Sequence, residues 1–314
     1  MTFETVVLFF LLGAIAGLMR SDLKIPGSIY DALSIFLLLA IGLKGGVKLA
    51  ENPLGEMIIP GIAIVLAGAL IPLLAFPVLR YLGHMSRADS SSIAAHYGSV
   101  SVVTFSVGVT FLSQKAESFE GYMVVFLVLL EMPALIIGVM LARYGRGEVR
   151  WGKLLHEVFF GKSIFLLVGG LIIGYIAGHD GIKPLDLLFF DLFKGVLALF
   201  LLEMGLVAAS RIADLRVYGA FLIAFAIIMP LIGGVLGTLM GWGLGLSVGG
   251  TLLLSILYAS ASYIAAPAAM RIAVPEANPA LSIGASLGIT FPFNIFVGIP
   301  IYYWMATFVH HTGA

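Results

Sequence analysis

From Thr2 to about Val309 the sequence is a succession of apolar runs long enough to cross a bilayer, separated by short charged, proline- or glycine-rich stretches. A helix needs about 20 apolar residues to cross a hydrocarbon core of roughly 30 Å, whereas a barrel strand needs only about 9–11. Within that layer every backbone N–H and C=O must find a partner inside the protein, so runs of this length select helices. Hydrophobic residues make up 61% of the 314 positions and charged residues 11%. A soluble domain carries roughly 25% charged residues, and the segments between the runs are too short to form one. The expected fold class is therefore an all-α polytopic membrane protein embedded in a lipid bilayer.

Ten candidate spans follow, at about 3–20, 28–48, 56–80, 89–113, 119–143, 163–179, 188–210, 217–241, 246–270 and 280–309. Spans four and nine are the most polar, being rich in Ser, Gly and Ala. The first run, Thr2 to Met19, lacks a basic leader, contains Glu4 and is followed by no small-residue cleavage site, so it reads as a retained span. Loops alternate sides. One side collects Arg20, Lys24, Arg80, Arg87, Arg143, Arg146, Arg150, Lys153, Lys162, Arg211, Arg216 and Arg271; the other collects Lys44, Lys48, Lys115, Lys183 and Lys194. Twelve positive residues against five place the first side in the cytoplasm and both termini outside, as in a bacterial-type inner membrane. The longest loop, Tyr144 to Gly161, is basic and carries Trp151, Leu154, Leu155, Val158 and Phe159 at helical spacing. It reads as an amphipathic interfacial helix, with a regulator's docking surface as the alternative. Net charge is zero, so nothing indicates a nucleic-acid partner; there is no cysteine, so disulfides and thiolate metal sites are excluded, and no cofactor is called for.

The two halves resemble each other. Gly42-Leu43 through Lys48-Leu49-Ala50-Glu51 matches Gly205-Leu206 through Arg211-Ile212-Ala213-Asp214 at an offset of 163. Tyr97-Gly98-Ser99-Val100-Ser101 matches Tyr258-Ala259-Ser260-Ala261-Ser262 at 161, and Pro133 matches Pro292 at 159. Five spans per repeat is odd, so the second copy crosses the membrane inverted, an arrangement typical of secondary transporters. The expected organisation is a first five-helix repeat over 1–144, a cytoplasmic linker over 145–162 and an inverted repeat over 163–314.

Polar residues inside the spans mark the candidate sites. Ser99 and Ser101, like Ser260 and Ser262, are two apart; such residues share a face in extended backbone but not on an α-helix. Both spans are thus expected to be broken there, and Tyr97, Gly98, Ser99, Ser101, Ser260 and Ser262 form the candidate substrate site. The alternative is a run of small residues chosen for close helix packing. Glu131 lies mid-span beside Pro133, which leaves the carbonyl of Leu129 without its helical donor. A carboxylate and a free carbonyl are hard oxygen ligands for a small cation. With Thr290 and Asn294, which share a helix face around Pro292, Glu131 is the candidate coupling-ion site, for sodium or for a proton. Glu203 is a second membrane acid, and Asp191 and Lys194 suggest an i, i+3 ion pair. His96 near the serines raises a nucleophile–base alternative, but no Gly-x-Ser-x-Gly elbow or zinc-protease His-Glu pair accompanies it. A transporter is preferred to an enzyme or to a membrane scaffold or sensor.

Taken in order, these motifs resemble the sodium-dependent bicarbonate transporter family over nearly the whole chain. The resemblance rests on Ile41-Gly42-Leu43 with Gly45-Gly46, on Glu131-x-Pro133-Ala134-Leu135, and on Met204-Gly205 through Ser210-Arg211-Ile212. Its most specific part is Ser260-x-Ser262 followed by Pro267, Arg271, Val274-Pro275, Ala277-Asn278-Pro279, Gly284 and Pro292. It implies sodium-coupled uptake of bicarbonate, five-plus-five inverted repeats divided into gate and core domains, a homotrimer, and a PII-like regulator on the cytoplasmic face. Ser101, Ser260, Ser262 and Glu131 match polar or acidic family positions. The sequence departs from the pattern at Tyr263, where the family tends to carry an acid, and at Val102, Val103, Ala265 and Ala266, where it tends to carry small polar residues.

Overall fold

The computed structural model describes residues 5–51, 54–144, 151–212 and 215–312. Described residues are helical or in short connections, and no strand occurs among them. Among the described residues, eight helical segments are long and apolar enough to cross a membrane. They are α2 (Gly27–Ala50), α3 (Ile58–Leu82), the broken segment Arg87–Lys115, α6 (Met123–Arg143), α8 (Lys162–Leu185), α9 (Phe193–Ile212), α10 (Gly219–Gly243) and α13 (Pro279–Thr312). Two apolar helices are shorter, α1 (Thr5–Leu18) and α11 (Val248–Ala259). The chain is thus a multi-pass helical membrane protein.

The two Ser-rich segments are the interrupted ones. The first divides into α4 (Arg87–Gly98) and α5 (Val102–Lys115), and α11 is followed, after a gap, by α12 (Ala265–Ala273). Ser99 (φ −85°, ψ 168°), Ser101 (φ −111°, ψ 110°) and Ser260 (φ −88°, ψ 166°) are extended, the backbone that the i, i+2 spacing predicts. Each broken element begins on a serine cap: Ser86 Oγ accepts from Asp89 N at 3.0 Å, and Ser247 Oγ accepts from Gly250 N at 3.0 Å. Such caps satisfy donors that the first helical turn would otherwise strand.

Glycine sets the packing of the remaining helices. A Cβ on Gly42 would lie 2.5 Å from Leu167 O and 3.0 Å from Gly170 Cα, and one on Gly46 would strike Leu171 O, so α2 and α8 cross with their backbones in contact. At the other crossing a Cβ on Gly13 would strike Leu202 O, one on Gly205 would strike Phe10 O, and one on Gly17 would lie 2.6 Å from Ala209 Cβ. Thus α1 pairs with α9 through the same small-x-x-x-small spacing that joins α2 to α8.

Helix α13 is one continuous helical stretch with two π-helical stretches, Ser286–Thr290 and Asn294–Gly298, flanking Pro292. Such bulges are a recognised answer to a proline in mid-helix and gather at functional sites. In the longest loop, residues Trp151–Phe160 form a helix, α7, with Leu155, Phe159 and Phe160 exposed; residues 145–150 lie outside the described part. The expected pair Asp191–Lys194 does not form. Leu187–Asp191 is a π-helical turn that ends before α9, so the two side chains do not keep α-helical register, and Lys194 Nζ donates to Ser113 Oγ at 3.4 Å.

Candidate functional site: two broken helices that cross

The interruptions meet in the middle of the molecule. Ser101 N donates to Ser260 Oγ at 2.9 Å, and Ser262 N donates to the His96 carbonyl at 2.8 Å. Each break therefore satisfies a backbone amide of the other, which explains how extended backbone survives in an apolar setting. Two helix C-termini, α4 and α11, and two N-termini, α5 and α12, converge on this point. The N-termini place partial positive charge and first-turn amides beside the serines.

Each serine has a distinct role. Ser101 Oγ accepts from Thr104 N at 3.2 Å as the cap of α5, and Ser262 Oγ accepts from Ala266 N at 3.2 Å in the first turn of α12. Ser260 Oγ donates to Leu257 O at 3.0 Å. Ser101 Oγ also donates to the phenol oxygen of Tyr263 at 3.4 Å, so Tyr263 stands at the crossing with its ring edge-on to Phe291. Ser99 Oγ is fully buried and has no hydrogen-bond partner. Gly98 is a close-approach position: a Cβ there would lie 2.6 Å from Pro72 Cδ and 2.8 Å from Ala134 Cβ.

The tyrosines preceding the breaks anchor them to α3 and, through Thr290 of α13, to α10. Tyr258 Oη donates to Ile64 O at 2.5 Å. Thr290 Oγ1 donates to Ala226 O at 2.6 Å and lies 2.7 Å from Tyr97 Oη. A hydroxyl has one proton, so Tyr97 is the donor to Thr290. Asn294 Nδ2 holds the Ala259 carbonyl at the end of α11 at 2.8 Å, and its Oδ1 accepts from Tyr302 at 2.9 Å. Thr290 and Asn294 thus brace the breaks from α13, and each side-chain oxygen keeps one unused lone pair.

Glu131 is 1% exposed and its Oε2 has no hydrogen-bond partner. Helices α4 and α6 run antiparallel. A Cβ on Gly138 would lie 2.5 Å from Ala95 Cβ, and Gly98 meets Ala134. Continuing that seam by one turn sets Glu131 level with Ser99–Ser101. No hydrogen bond joins Glu131 to Thr290 or Asn294 among the described residues. His96 turns Nδ1 to Ser92 O at 2.7 Å, and its Nε2 has no partner, so the serine–histidine pair of a hydrolase is not assembled.

Two cavities approach the crossing from opposite ends of α2. One, of about 440 Å³, lies around Lys44 and Lys48 and runs along α5 as far as Phe105. The other, of about 200 Å³, reaches Leu135, Ile264 and Ala265, the first residue of α12. Sequence reasoning did not find the braces at Ala226 O, Ala259 O and Ile64 O, which are backbone carbonyls, or the cavity at Lys44. The matched caps at Ser86 and Ser247 were visible signals, since they stand at the same offset of 161 as the serine pairs.

No curated protein matches the sequence. A protein-family comparison matches residues 5–307 to the Na+-dependent bicarbonate transporter superfamily, nearly the whole chain, from the start of α1 into the last turns of α13. With that match the multi-pass helical fold and its two interrupted helices have a family: the chain belongs to the Na+-dependent bicarbonate transporter superfamily.

Proposed function

We propose that the chain is a sodium-coupled importer of bicarbonate that works by alternating access, with ten spans in two five-helix repeats of opposite orientation. The observation that carries this reading is the crossing itself, where two interrupted helices satisfy each other's amides and aim two helix N-termini at one buried place. Tyr97, Gly98, Ser99, Ser101, Ser260 and Ser262 surround a small oxyanion there. Hydroxyls and the first-turn amides of α5 and α12 donate to its oxygens.

The inverted repeat draws support from exchanged pairings. The crossing of α1 with α9 corresponds to that of α8 with α2 when first and second repeats are swapped. Tyr258 reaches Ile64 O, while Tyr97 reaches Ala226 O through Thr290, and these carbonyls differ by 162 in number. Helices α1, α2, α8 and α9 make the gate, and the elements carrying the breaks move against it. The cavities at the two ends of α2 are the paths to either side.

The coupling cation sits at Glu131, level with the break and unpartnered at Oε2, with Leu129 O and the spare lone pairs of Thr290 and Asn294 as further oxygens. A buried carboxylate costs at least a few kcal/mol unless neutralised. Sodium supplies that neutralisation and, beside the anion, reduces the net charge carried through the membrane. In the cell the transporter lies in a bacterial-type inner membrane as a homotrimer with extracytoplasmic termini. Helix α7 lies in the cytoplasmic interface, within reach of a PII-like regulator.

Uptake of labelled bicarbonate into vesicles, with sodium and proton gradients imposed separately, tests the reading. Accumulation that follows the sodium gradient is expected. Accumulation that follows only the pH gradient would replace sodium with a proton at Glu131, and no accumulation under either would exclude bicarbonate.

A further inference from the structure

The cavity of about 440 Å³ at the C-terminal end of α2 has an unusual charge arrangement. Lys44 Nζ lies 3.9 Å from the centroid of the Phe193 ring and 5.3 Å from that of Phe190, and Lys48 Nζ lies 3.7 Å from that of Phe119. Among the described residues no carboxylate lies within ion-pair distance of Lys44. Lys44 stands six residues before the end of α2, roughly 9 Å inside it at 1.5 Å per residue. A ring face holds an ammonium in place through its quadrupole without cancelling the charge. A carboxylate partner would cancel it. The acids sharing the cavity, Glu51 and Glu117, stand at or just beyond the ends of their helices, and Asp191 acts on Lys44 only from beyond ion-pair distance.

The cavity continues along one face of α5, past Ser113 and Val109 to Ser106 and Phe105. Phe105 is 1% exposed and stands one helical turn from Ser101. Positive charge at the wall, a low-dielectric surround and a floor one turn above the crossing are the conditions in which a cleft concentrates an anion.

We propose that Lys44 forms a capture site for a small oxyanion, separate from the site at the crossing and closed from it by Phe105. The anion pauses beside the aromatic-held ammonium of Lys44 and passes along α5 when Phe105 yields. This deepens the transport reading and rests on it for the identity of the anion.

Two measurements test the proposal, one of them independent of transport. The chain has no cysteine, so Ser113→Cys places one reporter thiol at the exposed mouth of the cavity. Its reaction rates with an anionic sulfonate and a cationic ammonium thiosulfonate reagent of similar size read the local potential. The anionic-to-cationic ratio should fall on the order of tenfold when Lys44→Met is added, and Lys44→Arg should restore it. A ratio unmoved by Lys44→Met overturns the capture site. In vesicles Lys44→Met should raise KM for bicarbonate by on the order of tenfold with kcat retained, and added salt should weaken wild-type uptake but not that of the variant. An unchanged KM overturns the proposal as well. If wild-type protein carries no bicarbonate, the functional reading fails, while the thiol ratio still decides the role of Lys44.

Discussion

The carboxylate of Glu120 accepts the Ser247 amide at 2.6 Å and the Ser247 hydroxyl at 3.2 Å, closing the loop before α6 onto the start of α11. A related latch occupies the other face, where Asp89 Oδ1 accepts the Asn278 amide at 2.7 Å and ties the start of α4 to the segment before α13. The acid has changed places between them: in one latch it comes from the loop, in the other from the helix. Gly250, which follows Ser247 as Asp89 follows Ser86, has no room for a side chain because the Glu120 carboxylate fills that space. Glu120→Ala should lower the unfolding free energy by about 1–2 kcal/mol, the cost of leaving partly buried donors unpaired. Asp89→Ala should do less, its bond being exposed. Thermal unfolding in detergent checks both, and Gly250→Ala should match or exceed the Glu120 variant.

The serines separate by what they already do. Ser99→Ala breaks no hydrogen bond, so the protein should unfold at the wild-type temperature, yet bind bicarbonate more weakly. Loss of one bond to a charged ligand is worth about 1.5–3 kcal/mol, or roughly ten- to a hundredfold in affinity. Ser101→Ala removes the cap of α5 besides, and Ser262→Ala a bond to the first turn of α12, so both stability and affinity should fall. Unchanged affinity in all three variants would return the serines to a packing role.

Coupling is tested at Glu131. The Gln substitution keeps the shape and removes the charge, so uptake should lose its response to a sodium gradient or stop. Sodium-driven uptake at wild-type affinity in Glu131→Gln would place the cation elsewhere and make the residue structural.

The orientation is tested with single thiols. Ser118→Cys and Arg150→Cys should react with an impermeant reagent from opposite sides of the membrane, Ser118→Cys from outside. Reaction of both from one side would overturn the ten-span arrangement.

The interrupted helices were legible because serine spacing reports backbone geometry: two hydroxyls at i and i+2 can serve one place only if the chain is extended. The burial of Glu131 was legible for a similar reason, since a lone acid in an apolar run has few outlets. Partners were harder. Gly42 and Gly46 announce a close approach, but nothing in their spacing names α8 as the helix approached. Thr290 and Asn294 were recognised as paired polar groups, while the carbonyls they brace, Ala226 O and Ala259 O, have no side-chain signature. Lys44 was counted as loop charge, although it lies inside α2, because charge alone does not reveal an aromatic cradle.

The glycine crossings have a mechanical consequence. Where side chains interdigitate, a joint can loosen by changing rotamers; where main chain rests on main chain, there is no slack to release. The pairs α1–α9 and α2–α8 are therefore stiff struts, and each should keep its internal geometry through every stage of a cycle. Whatever motion the protein makes is then confined to the seams around those struts.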